Sequence, residues 1–492
     1  MTARAAVLLV SAAALVVSAS GVASPSAVPP ARQGADWATY GFDVARTGTD
    51  PSMPALPAAA AARARAAWRA RLDGVAVAGP VLANHVAVGG RPTALVYQGT
   101  EHGELVAVEA GSGRVVWRDH LGSVRTACYD TPDDVFGISG TPAIDRSTER
   151  LFVAGSDGAT GRTWVHALDL ATGREAAGWP VAVSADPWHV HVWGALTLWQ
   201  GRLYVTTASL CDFQPSYGKV IELDTAAASV VATFHVVRAD DGSIVGGGGI
   251  WGYGGASVDP ATGDVFVATG NAFDPLPEDQ PDAERVVRLT SALEPVASNH
   301  PALLGVDVDF GSTPVLFQAP GCPPQLAVEN KSGVLLVYAR DRIGRGPLQQ
   351  MQIAANASAH GRGIFIGLPA YDPADRLLLV SNPGPDAPPY RHGMLAFEVG
   401  SDCLLHPAWD TVAGPNGVAP VSSPTVSGGI VYWAGGMDAH LYAVTASDGR
   451  MLWTRGQSLP GPTFAPPIVA DGMLFAVSWD GPEHALLVAF AP

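Results

Sequence analysis

The chain has 492 residues, 48% of them hydrophobic and 15% charged, with a formal net charge of −16. That balance excludes nucleic acid and anionic membrane as main partners, because both select a surplus of basic side chains. Only two of the 29 basic residues are lysines, Lys219 and Lys331; this Arg-heavy, Ala-rich usage reads as the mark of a GC-rich genome.

Residues 1–23 read as an export signal. MTAR carries one positive charge, AAVLLVSAAALVV is a short apolar core, and SASGVAS supplies small residues for cleavage near Ala23. The apolar run is too short for a membrane span, and no later segment is long enough. No cysteine precedes Cys128, so N-terminal lipid attachment is not expected. Residues 24–36 (PSAVPPARQGA and its flanks) suit a disordered tether. Residues 37–492 are then expected to form one exported, monomeric domain. Four cysteines in an exported chain imply two disulfides, with three possible connectivities. Cys128–Cys211 and Cys322–Cys403 are the expected pairs, since each joins neighbouring parts of the repeat described next. There is no CxxCH, so covalent c-type haem is excluded.

The rest of the chain is a repeat. ELVAVEAGSGRVVW (104–117), HALDLATGREAAGW (166–179) and HLYAVTASDGRMLW (440–453) each pair two short strands across a Gly turn and close on Trp. Weaker copies start at 218 and 393. A second phrase precedes each copy, as in GTPAIDRSTERLFVAGS (140–156) and GASVDPATGDVFVATG (255–270). Period-2 alternation with Gly, Pro and Asp turns means antiparallel hairpins, two per unit. Starts near 79, 137, 191, 249, 307, 361, 417 and 461 make eight units of about four strands, the blades of an all-β, eight-bladed β-propeller. The last unit ends at LLVAFAP without its Trp strand. ARAAWRARL (64–72) supplies one, so an N-terminal strand is expected to complete the eighth blade and leave no free edge. Trp68, Trp117, Trp179, Trp409 and Trp453 are expected to pack between blades.

Several stretches stand out from the repeat. WHVHVW (188–193) places His189 and His191 on one face of a strand. Without a third ligand they read as hydrogen-bonded channel residues rather than a metal pair. GGGGIWGYGG (246–255) spends backbone entropy to deliver Trp251 to one place, which is worthwhile where the backbone must turn tightly or approach something closely. PEDQPDAE (277–284) reads as a solvated acidic loop. Neither GxSxG nor HExxH occurs, so serine-hydrolase and zincin chemistry lack support.

The Ala-x5-Gly-x3-Trp wording at 107–117 and 443–453 resembles the tryptophan-docking motif of the quinoprotein alcohol dehydrogenase-like family. These are eight-bladed propellers, many of which bind pyrroloquinoline quinone (PQQ), and the resemblance covers nearly all the chain after residue 36. It implies a quinone on the channel axis with a Ca²⁺ ion beside it. By that resemblance Trp251 is the stacking floor and Asn271, in the ATGN that follows, is the metal-ligating amide. Asp309, in VDVDFGSTP (306–314), is the base beside the metal, with Asp307 as a stand-in. Lys331, in ENKSGVLLVYARDR (329–342), contacts the quinone oxygens. The function implied is oxidation of an alcohol or sugar-like small molecule.

Two features depart from the family. TACYD (126–130) has Tyr129 where the family has a second, vicinal cysteine. The loop after ASLCDFQPSYG (208–218) lacks the calcium-binding glutamate, leaving Asp212 as its carboxylate. They favour the alternative of a propeller that has lost its cofactor and binds an extracellular protein or glycan.

Overall fold

The computed structural model describes residues 35–492 apart from 52–55, 129–132, 239–241, 274–281, 304–307, 356–366, 415, 418–420 and 454–455. The expected signal, most of the tether, Tyr129, Asp307 and most of the acidic 277–284 loop lie outside the described residues. Ala35 and Asp36 are described, and both accept hydrogen bonds from Asn84.

Eight blades follow one another in chain order among the described residues, seven of them four-stranded antiparallel sheets and the seventh a four-stranded antiparallel sheet with one added parallel strand, each built as its hairpins require. Blade one runs from Val81–Val88 to Val115–His120, and blade five from Val315–Phe317 to Gln349–Gln352. The ring closes as the missing Trp strand predicts. Arg65–Asp73 pairs antiparallel with His484–Ala491, from Arg65 opposite Ala491 to Asp73 opposite His484, and becomes the outer strand of blade eight. Both expected disulfides form, Cys128–Cys211 and Cys322–Cys403, with Cα atoms 5.4 and 5.5 Å apart. No described helix is long and apolar enough to cross a membrane.

The Gly-x3-Trp spacing has a physical cause. Trp68 lies on Gly113 of the next blade, where a Cβ would sit 2.7 Å from the indole, and its Nε1–H donates to Ala110 O at 2.8 Å. Trp117 repeats this on Gly173 and Leu170 O, and Trp409 on Gly449 and Ala446 O. In each case the acceptor lies three residues before the glycine, so one turn supplies both a bare surface and a carbonyl. Trp453 donates instead to Ala61 O, just ahead of the strand that closes the ring. Trp179 packs on Phe152, among apolar side chains of blades two and three.

One part of the architecture is absent from the repeat pattern. Each innermost strand has a free edge on the channel, and residues 37–48 hydrogen-bond to these edges one after another. Trp37 exchanges two bonds with Leu82 of blade one, and Ile144 N–H of blade two donates to Ala38 O at 2.8 Å. Thr39 Oγ1 donates to Leu196 O, beside blade three. Val44, Ala45, Thr47 and Gly48 carbonyls then accept from Val258, Leu316, Tyr371 and Val426 of blades four to seven. Thr49–Asp50 finally pairs parallel with Thr425–Ser427. The segment thus winds once around the axis at the level of the inner strands and floors the channel.

Candidate functional site

Strands alternate in direction, so the turns between second and third strands and the connections between blades meet at one end of the ring. The residues picked out from the sequence sit there. Trp251 precedes the first strand of blade four, and Asp309 that of blade five. Asn271 and Lys331 follow the second strands of the same two blades.

The glycine-rich stretch provides the close approach its composition suggests. Gly248 has φ +68°, and a Cβ there would lie 2.5 Å from Val236 Cγ1. Its N–H donates to Asn271 O at 2.5 Å, which ties the approach to Trp251 directly to Asn271. Half-buried Trp251 then directs Nε1–H to Asp309 Oδ2 at 2.9 Å. Lys331 Nζ meets the other carboxylate oxygen at 2.9 Å and lies 5.4 Å from the Trp251 ring centroid. An ammonium at that distance is within cation–π range of the ring. Asp309 Oδ2 also lies beside Gly270, 3.1 Å from where its Cβ would be, which brings the carboxylate up to Asn271. Asn271 Oδ1 is buried. All four predicted residues are therefore gathered, three of them in direct contact.

Other residues here carry no motif. Asn330 donates from Nδ2 to Asp309 O at 3.0 Å and to Val308 O, while its Oδ1 accepts from Ser332 N–H and Oγ. It holds the main chain on which Asp309 is mounted. Glu329, two residues before Lys331, is buried and accepts from Ser312 Oγ at 2.7 Å; burial pushes its carboxyl up to about 7.

Across the channel, Glu101 of blade one accepts from Gly137 N–H and from Ser139 Oγ at 2.7 Å. His191 Nε2 lies 2.7 Å from the same hydroxyl, and its Nδ1 is 3.2 Å from Ser156 Oγ. With Ser139 donating to Glu101, the imidazole donates from Nε2 and accepts at Nδ1. The expected pair is therefore split: His191 is buried in this network, whereas His189 bonds Asp186 toward solvent. His191 also packs edge-on against Phe136 and Trp193, beside the Cys128–Cys211 disulfide. The only sequence signal for Glu101 is a carboxylate in the GTEHGE turn between paired strands.

Burial raises the Glu101 carboxyl from 4.5 to about 7 and lowers the His191 imidazole from 6.5 to about 3. The two act in opposite senses. A raised folded-state value means that Glu101 destabilises the fold as pH climbs from about 4.5 through 7; the depressed His191 value means stability is lost as pH falls below 6.5 toward 3. Glu101→Gln mimics the protonated acid. It is expected to match the parent protein at pH 4 and exceed it at pH 8 by on the order of 3 kcal/mol in urea denaturation. Equal midpoints at pH 8 would show that the carboxyl carries no burial penalty.

The donor set suits a planar, anionic quinone: an indole face, an ammonium beside it and a shielded carboxylate. It falls short of a calcium site. Calcium takes six to eight oxygens, whereas Asn271 and Asp309 supply the side-chain oxygens in this corner, and both Asp309 oxygens already bond Trp251 and Lys331. No group of three or more His, Cys, Asp or Glu gathers among the described residues. Asp212 is exposed and bonds Ser209 Oγ instead.

Comparison with known proteins follows the same lines. A family model described as outer membrane protein assembly factor BamB matches residues 407–490. A polyvinylalcohol dehydrogenase from a Pseudomonas species is 24% identical over 438 residues, covering 76% of this chain. The chain spans 64% of that relative's length. Quinohemoprotein alcohol dehydrogenase from Comamonas testosteroni superposes with a TM-score of 0.67 at 15% identity, over 93% of this chain and 80% of that one. A europium-containing methanol dehydrogenase gives 0.67 at 15% identity, over 93% and 98% of the two chains. BamB from Moraxella catarrhalis gives 0.55 at 15% identity, over 87% and 100%.

Proposed function

We propose that this chain, a PQQ-repeat β-propeller related to the quinoprotein alcohol dehydrogenases and to BamB, is an exported quinone-dependent dehydrogenase of a small alcohol or sugar-like substrate. The observation that carries this reading is the Trp251–Asp309–Lys331 contact set at the mouth of a floored channel. Bound PQQ would supply the two-electron acceptor for the alcohol carbon. Trp251 offers it a flat face. The Lys331 ammonium would supply positive charge beside the oxygens of such an acceptor. Asp309 Oδ takes the hydroxyl proton of the substrate, in a position shielded from bulk water. Residues 37–48 line the channel beneath, bonded to the inner strands. Two disulfides suit the oxidising compartment to which the N-terminal signal would deliver the protein.

The test is titration of the mature protein with PQQ, with and without Ca²⁺, followed by tryptophan fluorescence. Saturable one-to-one quenching, weakened by Trp251→Ala, is the expected result. The shortage of oxygen donors for calcium and the BamB match favour the second reading, a cofactor-free propeller that binds an extracellular protein or glycan. Absence of PQQ binding at every Ca²⁺ concentration would select it.

A further inference from the structure

We propose that the cleft between blades three and four is a binding site for a small organic monocarboxylate. The cavity holds about 260 Å³ and is lined by Thr233, Phe234, His235 and Arg238 of blade three and by Asp282 and Leu293 of blade four. Lys219 stands directly opposite His235 across the two outer strands of blade three, so their side chains share a face.

Three basic side chains therefore converge in a protein whose net charge is −16. One of them is among the chain's two lysines. Some basic groups elsewhere are paired, as Arg288 is with Asp264 and Arg391 with Asp410. Lys219, His235 and Arg238 form no ion pair among the described residues; Lys219 instead lies 5.7 Å from the Tyr217 ring centroid. His235 Nδ1 is buried with no hydrogen-bond partner among the described residues. An unpaired buried polar atom is costly, and a ligand oxygen in the cavity would remove that cost. Burial and the two neighbouring cations hold the imidazole down at about 4, so it is neutral at pH 7 and able to donate one hydrogen bond.

The wall chemistry selects the class of ligand. Among the described residues, Arg238 in the wall and Lys219 beside His235 bring two positive charges and Asp282 one negative, a surplus of one that suits a monoanion better than a phosphate dianion. Buried Phe234 and Leu293 present apolar surface beside the charges, which suits a hydrocarbon body. A carboxylate headgroup on Arg238, accepting from His235 Nδ1–H, gives the buried imidazole nitrogen a partner and sets a counter-charge beside Arg238 and Lys219. The inference does not depend on whether a quinone binds on the axis.

Calorimetric titration of the full chain with hexanoate, and with hexanamide as its neutral counterpart, tests it. Expected are one-to-one binding of hexanoate on the order of 1 mM or tighter, no saturable binding of hexanamide, and at least about tenfold weakening in Arg238→Gln. Arg238 is exposed, so that variant retains the fold; Lys219→Gln is the second test of the same headgroup. Trp251→Ala should leave hexanoate binding unchanged. Equal affinity for the amide, no saturation, undiminished binding in both Arg238→Gln and Lys219→Gln, or loss of binding in Trp251→Ala would each overturn the assignment.

Discussion

Asp309→Asn is expected to lower quinone-dependent alcohol oxidation by at least about 100-fold while leaving PQQ binding within a few-fold of the parent protein. The amide keeps the shape of the carboxylate and still accepts from Trp251 Nε1–H, but it cannot take a proton. The substitution also strips Lys331 of the carboxylate it meets at 2.9 Å, and breaking a buried pair on one side costs on the order of 3 kcal/mol. A loss of activity could therefore reflect a weakened site. Lys331→Met combined with Asp309→Asn separates the two effects, because removing both partners restores charge balance without restoring the base. The double variant should regain stability in urea denaturation and remain inactive. Turnover within about threefold of the parent in either variant would remove Asp309 from the chemistry.

Arg46→Met is expected to cost about 3 kcal/mol or more, the largest stability effect of any single change in the channel floor. Arg46 is completely buried, and its guanidinium bonds Tyr40 O, Thr39 Oγ1, Thr197 Oγ1, Leu196 O and Ala256 O. Burial lowers its pKa to about 10, which still leaves it charged at neutral pH. These acceptors come from the floor segment and from blades three and four, so one side chain locks the first turn of the ring to the barrel of inner strands. Methionine fills much of the volume but satisfies no carbonyl. Urea denaturation should show the loss, and limited proteolysis should cut before residue 50 in the variant sooner than in the parent. An unchanged midpoint would mean that the backbone bonds alone hold the floor.

Much of the fold could be read from the chain because it is written locally and repeated. Alternating strands, Gly turns and terminal tryptophans recur within short windows, and Trp117 on Gly173 shows why: each blade must offer the next a bare turn and a free carbonyl. The unfinished last unit pointed to Arg65–Asp73 for the same reason, since an open ring would expose strand edges. The cysteine pairs followed from the repeat, and Trp251, Asn271, Asp309 and Lys331 from a family resemblance confined to short motifs. The tertiary structure alone decided the rest. Glu101, Ser139, His191 and Ser156 come from three successive parts of the ring, and no spacing along the chain announces their contact. Arg46 looks like any other arginine until ring closure brings it the carbonyls of Leu196 and Ala256, 150 and 210 residues away. The cluster at Lys219, His235 and Arg238 becomes a cleft only when blade four supplies the opposite wall. Local pattern specifies a blade, but only closure of eight blades around one axis determines which side chains are buried together and hence which are charged, neutral or available to a ligand.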